Sequence, residues 1–337
     1  MKILYIGNKL KKHGYNPTSV ETLGKKLGET YCVTTISDKK NTVLRLIEMI
    51  WTIYYQRRKT DIILVDIYSS KAFYYALFCA ITCSMFKKKY VNILHGGNLP
   101  LRIKKSHYLS EIIFKNAAKN IAPSLYMKKR LENTVKNFAL IPNFINLSDY
   151  KFQLRSNCSP KLFWVRSFDK TYNPEMAIKV LSSLKLKFSN AKLCMVGPEK
   201  DGSMMKCKSL ARQLGISDSI TFMGYMEKKE WIKLSEGYDI FINTTNHDNL
   251  PVSVIEAMAL GFPIVSTDAG GLKYLHQDEV DAFIVERNSF MQMEERIISI
   301  INDESISKSL SINARKKAED YAWSSIGKKW KKLFETL

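Results

Sequence analysis

Apolar residues recur along this chain in two alternating rhythms. Short, nearly continuous apolar runs rich in β-branched residues, KILYIG at 2–7, YCVTTI at 31–36, DIILVDIY at 61–68 and YVNIL at 90–94, have the length and composition of strands buried on both faces. Between them lie longer stretches whose spacing predicts helices over residues 18–27, 43–57 and 70–86. Strand and helix in strict alternation predict a parallel sheet joined by crossover helices. After YVNIL the pattern weakens and reads as a loop.

The alternation starts again after a link at residues 151–160. KLFWVR, AKLCMVG, SITFMG, DIFINT and FPIVST read as strands, and residues 174–188, 203–214, 228–235 and a helix running from Pro251 to Gly261 read as the connections. Three closing helices are predicted over 289–301, 306–320 and 324–334. The expectation is an α/β chain of two doubly wound domains. Residues 1–150 form the first and 151–320 the second, and 321–337 is a closing helix. In doubly wound sheets ligands bind outside the carboxyl ends of the strands, which predicts an active site between the two domains. At 337 residues the chain has the length for two cores.

The segment DNLPVSVIEAMALGFPIVST, residues 248–267, carries the clearest chemistry. Pro251 suits a first helical turn, where a missing N–H costs nothing. The backbone N–H groups around Asn249, Leu250, Pro251 and Val252 then favour an anion such as a diphosphate before the helix. Asp248 and Glu256 bracket that turn, and as acceptors they suit hydroxyl groups on either side of a diphosphate. A sugar and a ribose flanking a diphosphate make a nucleotide sugar. Arg166 and Lys170 follow KLFWVR, where two cations suit the charge that grows on a leaving diphosphate. His95 closes YVNIL, with Gly96 and Gly97 letting a backbone approach a ligand closely.

This segment resembles the E-x7-E region of retaining glycosyltransferases of family 4, which have the GT-B architecture of two Rossmann-like domains facing across a cleft. HGGN at 95–98, IPNFINLSDYKF at 141–152, FWVRSFDKTYNPEMAIKVL at 163–181, LCMVG at 193–197 and YAWSSIGKKWKKLF at 321–334 fall in the order that family shows. The likeness covers nearly all of the C-terminal half and is looser before it. It departs at Asp248, where most members carry Glu, at Thr171, where Gly is common, and in the first strand-to-helix loop, which holds Gly14 but no Gly-Gly pair. The resemblance implies an acceptor-binding first domain and a donor-binding second one, with transfer that keeps the anomeric configuration. In such transfer the leaving phosphate takes the acceptor's proton while Arg166 and Lys170 steady it. It further implies that His95 meets the donor sugar, that Asp248 meets sugar hydroxyls and that Glu256 meets the ribose. Gly14, Gly97 and Gly197 are assigned to ligand binding with them. The final helix is expected to cross back to the first domain on Trp323, Trp330 and Phe334.

Composition narrows the setting. Hydrophobic content of 45% with 11% aromatics is that of a packed protein. The net charge of +20 is lopsided, with 25 Lys and Arg against 9 Asp and Glu in residues 1–150, and 27 against 23 in the remainder. The basic runs Arg57–Lys59 and Lys87–Lys89 adjoin apolar aromatic stretches, which favours an anionic lipid surface over nucleic acid. The equal alternative is a buried helix with solvating lysines. Neither stretch reaches the roughly 20 apolar residues of a spanning helix. The six cysteines lack metal spacing and read as reduced core residues. No leader is evident at the start, and a cytoplasmic protein on the inner face of a membrane is expected. No D-x-D occurs, and Glu279-Val280-Asp281 reads as a surface turn, so no metal and no cofactor beyond the donor itself are expected. Without G-x-G-x-x-G, G-x-S-x-G or a P-loop, dinucleotide oxidoreductases, serine hydrolases and P-loop NTPases are disfavoured. The expected enzyme is a metal-independent glycosyltransferase of the hexosyltransferase type, acting on a saccharide or lipid-linked saccharide for a cell-surface polysaccharide. The alternatives are a nucleotide-sugar epimerase on the same scaffold and a non-catalytic basic binding protein.

Overall fold

The structure, a computed structural model, describes residues 1–13 and 17–337. It divides into two compact units, Met1–Pro142 with Lys329–Leu337, and Asn143–Lys328.

The first unit is built on six parallel strands, β1 (Lys2–Ile6), β2 (Cys32–Ile36), β3 (Ile62–Ile67), β4 (Tyr90–Leu94), β5 (Lys119–Ala122) and β6 (Phe138–Leu140), in the order β2-β1-β3-β4-β5-β6. Helices α1 (Ser19–Leu27), α2 (Thr42–Gln56), α3 (Ala72–Met85), α4 (Leu99–Lys105), α5 (His107–Lys115) and α6 (Leu125–Leu131) connect them. Local signals set their starts: the Asn41 side chain accepts from the Val43 and Leu44 N–H groups at α2, and Ser124 accepts from Met127 N–H at α6. Every residue of β3 and β4 is buried, as their unbroken apolar runs require.

The second unit repeats the plan with β7 (Lys161–Val165), β8 (Lys192–Val196), β9 (Ile220–Gly224), β10 (Ile240–Asn243), β11 (Ile264–Thr267) and β12 (Phe283–Val285), ordered β12-β11-β10-β7-β8-β9 and all parallel. Its helices are α7 (Pro174–Lys185), α8 (Ser203–Gln213), α9 (Lys228–Ser235), α10 (Val252–Ala259), α11 (Leu272–Leu275), α12 (Phe290–Asn302), α13 (Glu304–Glu319) and α14 (Trp323–Glu335). The last residues of α14 group with the first unit, where Phe334 sets its ring edge-on to Tyr31 with centroids 5.3 Å apart.

Several expectations need correction. The stretch after YVNIL is not one loop: α4, α5, β5, α6 and β6 fill it, in pieces too short to display a clear period. The stretch after FPIVST, for which no element was predicted before residue 289, holds α11 and β12. The units part after Pro142 rather than Tyr150, because Ile145 exchanges backbone bonds with Tyr321 (2.9 Å) and Trp323 (3.1 Å), and Tyr150 is packed in the second unit's core. Cys32 is exposed, unlike the other five cysteines. Asp281 is no surface residue: it is buried, accepts from His276 Nδ1 at 2.7 Å and pairs with Lys317 at 2.7 Å. That gives His276 a structural place on the second unit.

Two arginines close the carboxyl end of α10. Arg315 donates to the Tyr150 and Ala259 carbonyls at 2.9 and 2.6 Å. Arg155, only 3% exposed, lies over the Phe262 ring at 3.5 Å and donates to the carbonyls of Gln153, Ser235, Tyr238 and Leu260. Burial pushes its guanidinium down to about 10, partly offset by Asp239. One side chain therefore satisfies carbonyls at the ends of α9 and α10 and in the link before β7, where bare carbonyls would be costly. Replacing it with methionine keeps the bulk and removes every donor. Arg155→Met is expected to lower stability by about 3 kcal/mol, since several buried acceptors lose partners. Urea unfolding monitored by tryptophan fluorescence checks this, and an unchanged midpoint would refute the clamp.

Candidate active site

The order of the second sheet places β10 beside β7, while the chain leaves β7 toward β8 and β10 toward β11. The crossovers diverge there and leave a crevice at the carboxyl ends, the topological switch point of a Rossmann-type sheet. Arg166 is the first residue after β7, and residues 244–251 lead from β10 into α10. The two loops are stitched together. Asn246 N–H donates to the Thr171 carbonyl at 2.8 Å, Trp164 Nε1 donates to Thr244 at 3.0 Å, and the Thr244 hydroxyl donates to the Tyr172 carbonyl at 2.9 Å.

Arg166 and Asp248 meet in this crevice, Nη2 against Oδ2, with side chains 14% and 15% exposed. The guanidinium also lies over Tyr172 at 4.6 Å. Burial pushes Arg166 down, against the pull of Tyr172 and Glu256, yet an arginine stays charged. Its Nε is buried without a partner. Asp248 Oδ1 accepts from Asn249 N–H at 2.8 Å. Asp248 is thus the counter-ion of Arg166 as well as a group able to take a hydroxyl.

Close backbone approach holds this loop. A Cβ on Gly271 would lie 1.5 Å from the Asn249 carbonyl oxygen, and one on Gly270 would lie 2.1 Å from that of Asp248. Gly271 N–H donates to the Asp248 carbonyl at 3.0 Å. Asn249, Leu250 and Pro251 are buried, and Val252 opens α10 one residue later than expected, with Pro251 in extended backbone as its cap. The Ser253 hydroxyl in the first turn is buried without a partner.

Gly197 lies against the backbone of Arg166. Its Cβ would lie 1.7 Å from the Arg166 carbonyl, so it seats the backbone of Arg166. The loop beyond it encloses its own anion: the Glu199 carboxylate accepts from the N–H groups of Lys200, Asp201, Gly202 and Met204 at 2.8 to 3.1 Å. Partial burial opposes ionisation, but those donors outweigh it and hold Glu199 below the usual range. Lys170 begins a single turn of 3-10 helix, Lys170–Tyr172, with its side chain exposed.

Glu256 is 5% exposed on α10, and its Oε1 accepts from Tyr150 at 2.7 Å and meets Lys228 Nζ at 2.6 Å. Neither partner was singled out in the sequence. A carboxylate flanked by Val254, Ile255, Ala257 and Met258 signals the need for partners, but nothing local names them.

In the first unit His95 Nε2 meets Asp66 Oδ1 at 2.8 Å, and its ring stacks on Tyr68 with centroids 4.7 Å apart. Asp66 is wholly buried on β3 and also accepts from Tyr5 at 2.8 Å. Burial and Asp66 push the Tyr5 hydroxyl well up, so it remains a donor. A carboxylate only accepts, so the His95 Nε2 carries the hydrogen of this contact. Asp66 was missed, although a lone Asp inside DIILVDIY is the kind of residue that must find a partner. Gly96 is explained by its positive φ of 80°, since a Cβ there would meet nothing within 4 Å. Gly97 lies in the turn before α4, and Gly14 falls outside the described residues. Among the described residues, no group of three or more His, Cys, Asp or Glu is placed to hold a metal ion.

The chain belongs to the glycosyl transferases group 1 family, whose model matches residues 148–317, half of its length. An uncharacterised glycosyltransferase of Haemophilus influenzae is 29% identical over 50% of this chain and 46% of its own. The N,N′-diacetylbacillosaminyl-diphospho-undecaprenol α-1,3-N-acetylgalactosaminyltransferase of Campylobacter jejuni is 26% identical over 36% of this chain and 32% of its own. The chain thus spans half or less of the length of these curated relatives. The solved structure of Anabaena HepE in complex with UDP-glucose superposes with a TM-score of 0.80 at 16% identity, covering all of both chains. The fold is the GT-B fold of two Rossmann-like domains.

A methyl group at Gly271 has no room, so the Asp248–Asn249 backbone must move if one is added. Gly271→Ala is expected to abolish the melting shift that a bound nucleotide produces while leaving the sheet folded by circular dichroism. An unaltered shift would show that the loop's position is immaterial to binding.

Proposed function

We propose that the protein moves a sugar from a nucleoside-diphosphate donor to a saccharide or lipid-linked saccharide acceptor, with retention at the anomeric carbon, in the making of a cell-surface polysaccharide. The observation that carries this reading is the charge at the switch point of the second sheet. A mostly covered arginine there has a buried Nε–H without a partner, and beside its loop α10 begins with a buried, unpaired Ser253 hydroxyl. Donors without a protein partner beside the carboxyl ends of a doubly wound sheet suit an anionic phosphate. Arg166 and the exposed Lys170 would bind the diphosphate, Asp248 and His95 the transferred sugar, and Glu256 the ribose. In the transfer the bond from the anomeric carbon to the phosphate oxygen breaks. The acceptor oxygen bonds to the same face, and its proton passes to the leaving phosphate, whose charge Arg166 and Lys170 stabilise. Family membership favours transfer over the epimerase and binding-protein alternatives.

The test is thermal stabilisation across UDP-, GDP-, ADP- and CMP-sugars and their nucleotides. A ligand at 100 times its dissociation constant contributes about 2.7 kcal/mol, a shift of a few degrees. Stabilisation by one nucleotide class, lost in Glu256→Gln, is the expected result. No stabilisation by any of them would sink the donor-site reading.

The acceptor reading extends to an anionic membrane surface. Among the described residues no helix is long and apolar enough to cross a membrane. Helix α2 nevertheless exposes Leu44, Ile47, Trp51 and Tyr55 at helical spacing, each at least 56% exposed, and the adjoining α3 exposes Phe78 and Met85. The Tyr54 and Phe86 rings join the two helices, and Arg57 lies over both. An apolar stripe bordered by Arg57–Lys59 and Lys87–Lys89 suits the interface of an anionic bilayer. Sedimentation with phosphatidylglycerol vesicles is expected to carry down the protein, and Trp51→Ser with Ile47→Ser to abolish it. Equal binding to neutral vesicles, or none to either, would refute the membrane surface.

A further inference from the structure

We infer that Lys228 is a specificity-determining residue of the nucleotide site: with Glu256 it reads a vicinal diol, so that ribonucleotides are preferred to their 2′-deoxy counterparts. The inference rests on the donor-site reading above and names a residue that reading does not use.

Three side chains from three segments converge on one oxygen. Tyr150, from the stretch before β7, donates its hydroxyl to Glu256 Oε1 at 2.7 Å, and Lys228, from α9, brings Nζ to the same atom at 2.6 Å. Lys228 Nζ also lies 5.9 Å from the centre of the Tyr150 ring. The helix that carries Lys228 does not account for it. As the first residue of α9 its cation sits at the positive end of the helix dipole, where an anion would be favoured. The orphan N–H groups of that end are met by the capping box of Glu227 and Glu230. What Lys228 does gain is Glu256.

The partners differ in freedom. The Glu256 side chain is 6% exposed and that of Lys228 is 54% exposed, on a flexible four-carbon stem. Tyr150 is buried, and burial together with Glu256 pushes its hydroxyl well above the ordinary value, so it stays a fixed donor. A hydroxyl arriving at Glu256 therefore finds a carboxylate oriented by Tyr150 and a cation able to turn aside without leaving. A sugar hydroxyl donates one hydrogen and accepts through its lone pairs. Glu256 takes the hydrogen and Lys228 donates to the oxygen, and in a vicinal diol the neighbouring hydroxyl completes the set. A ligand lacking one hydroxyl leaves Lys228 and Glu256 paired with each other and forgoes the charge-assisted bonds that the diol gains, so it binds more weakly.

The test compares UDP, GDP, ADP and CDP, each with its 2′-deoxy counterpart, by isothermal titration of the full chain and of Lys228→Met and Lys228→Arg. The wild type is expected to prefer the ribonucleotide at least tenfold. Lys228→Met is expected to reduce that ratio to near unity, chiefly by weakening the ribonucleotide, and Lys228→Arg to restore part of it. The ratio is taken within each variant, so a change in stability or in general attraction for the diphosphate cancels. An unchanged ratio in Lys228→Met overturns the inference, as does a wild type that binds both forms equally. Failure of the wild type to bind any of the four diphosphates overturns the donor-site reading, and the inference with it.

Discussion

A carboxylate carried on a helix that packs into an apolar core obliges the chain to bring donors to it, and the second unit is organised around that requirement at Glu256. Its neighbours Val254, Ile255, Ala257 and Met258 are buried to within about 1% of full coverage, so the helix cannot turn Glu256 toward water without exposing its core face. Tyr150 and Lys228 meet the requirement. Tyr150 comes from the stretch before β7, which binds that stretch to the second unit. The arginines at the far end of α10 act in the same direction, since Arg155 and Arg315 tie its last carbonyls to the same stretch. Helix α10 is thereby fixed at both ends, and the position of its first turn follows.

The neighbouring ion pair obeys a related constraint. Arg166 and Asp248 are mostly out of water, and breaking a buried pair by removing one partner costs roughly 3–5 kcal/mol because the other charge is left behind. Asp248 therefore steadies Arg166. In the proposed transfer a phosphate would bring a second anion to a cation whose Nε–H has no partner in the protein. A shorter acid at position 248 fits this double duty. Gly197, Gly270 and Gly271 hold the backbone around the pair so closely that no side chain fits at any of the three.

Much of this architecture was legible in the sequence, and the rest was hidden for identifiable reasons. The alternation of rhythms marked β1 to β4 with α1 to α3, and β7 to β11 with α7 to α10, because short apolar runs contrast with the longer helical spacing between them, even where a strand such as β2 or β9 is only partly buried. The segment from α4 to β6 was not legible, since strands of three or four residues carry no period of their own. Arg166, Asp248, Glu256 and His95 stood out by their place at strand ends or inside an apolar helix. Their partners did not. Tyr150 and Glu256 are 106 positions apart, and Arg166 and Asp248 are 82 apart, separations that only the sheet order closes. Gly197 was assigned to ligand binding with the resemblance. Its φ of 151° and its close approach to the Arg166 carbonyl, which support the cation, could be read only from the structure.

The two units use buried carboxylates in opposite ways, and the difference follows from where each sits. Asp66 lies within a central strand, wholly covered, and is reached by a tyrosine and a histidine that keep their places by stacking and packing. It can orient His95 but cannot itself meet a ligand, so its effect on any chemistry passes through the imidazole it holds. Glu256 lies on a helix beside the crevice and is covered in part by a half-exposed lysine on a long stem, a partner that can be exchanged without unpacking the core. Rigid support in the first unit and an exchangeable partner in the second are what their exposures, 0% for Asp66 and 54% for the Lys228 side chain, impose.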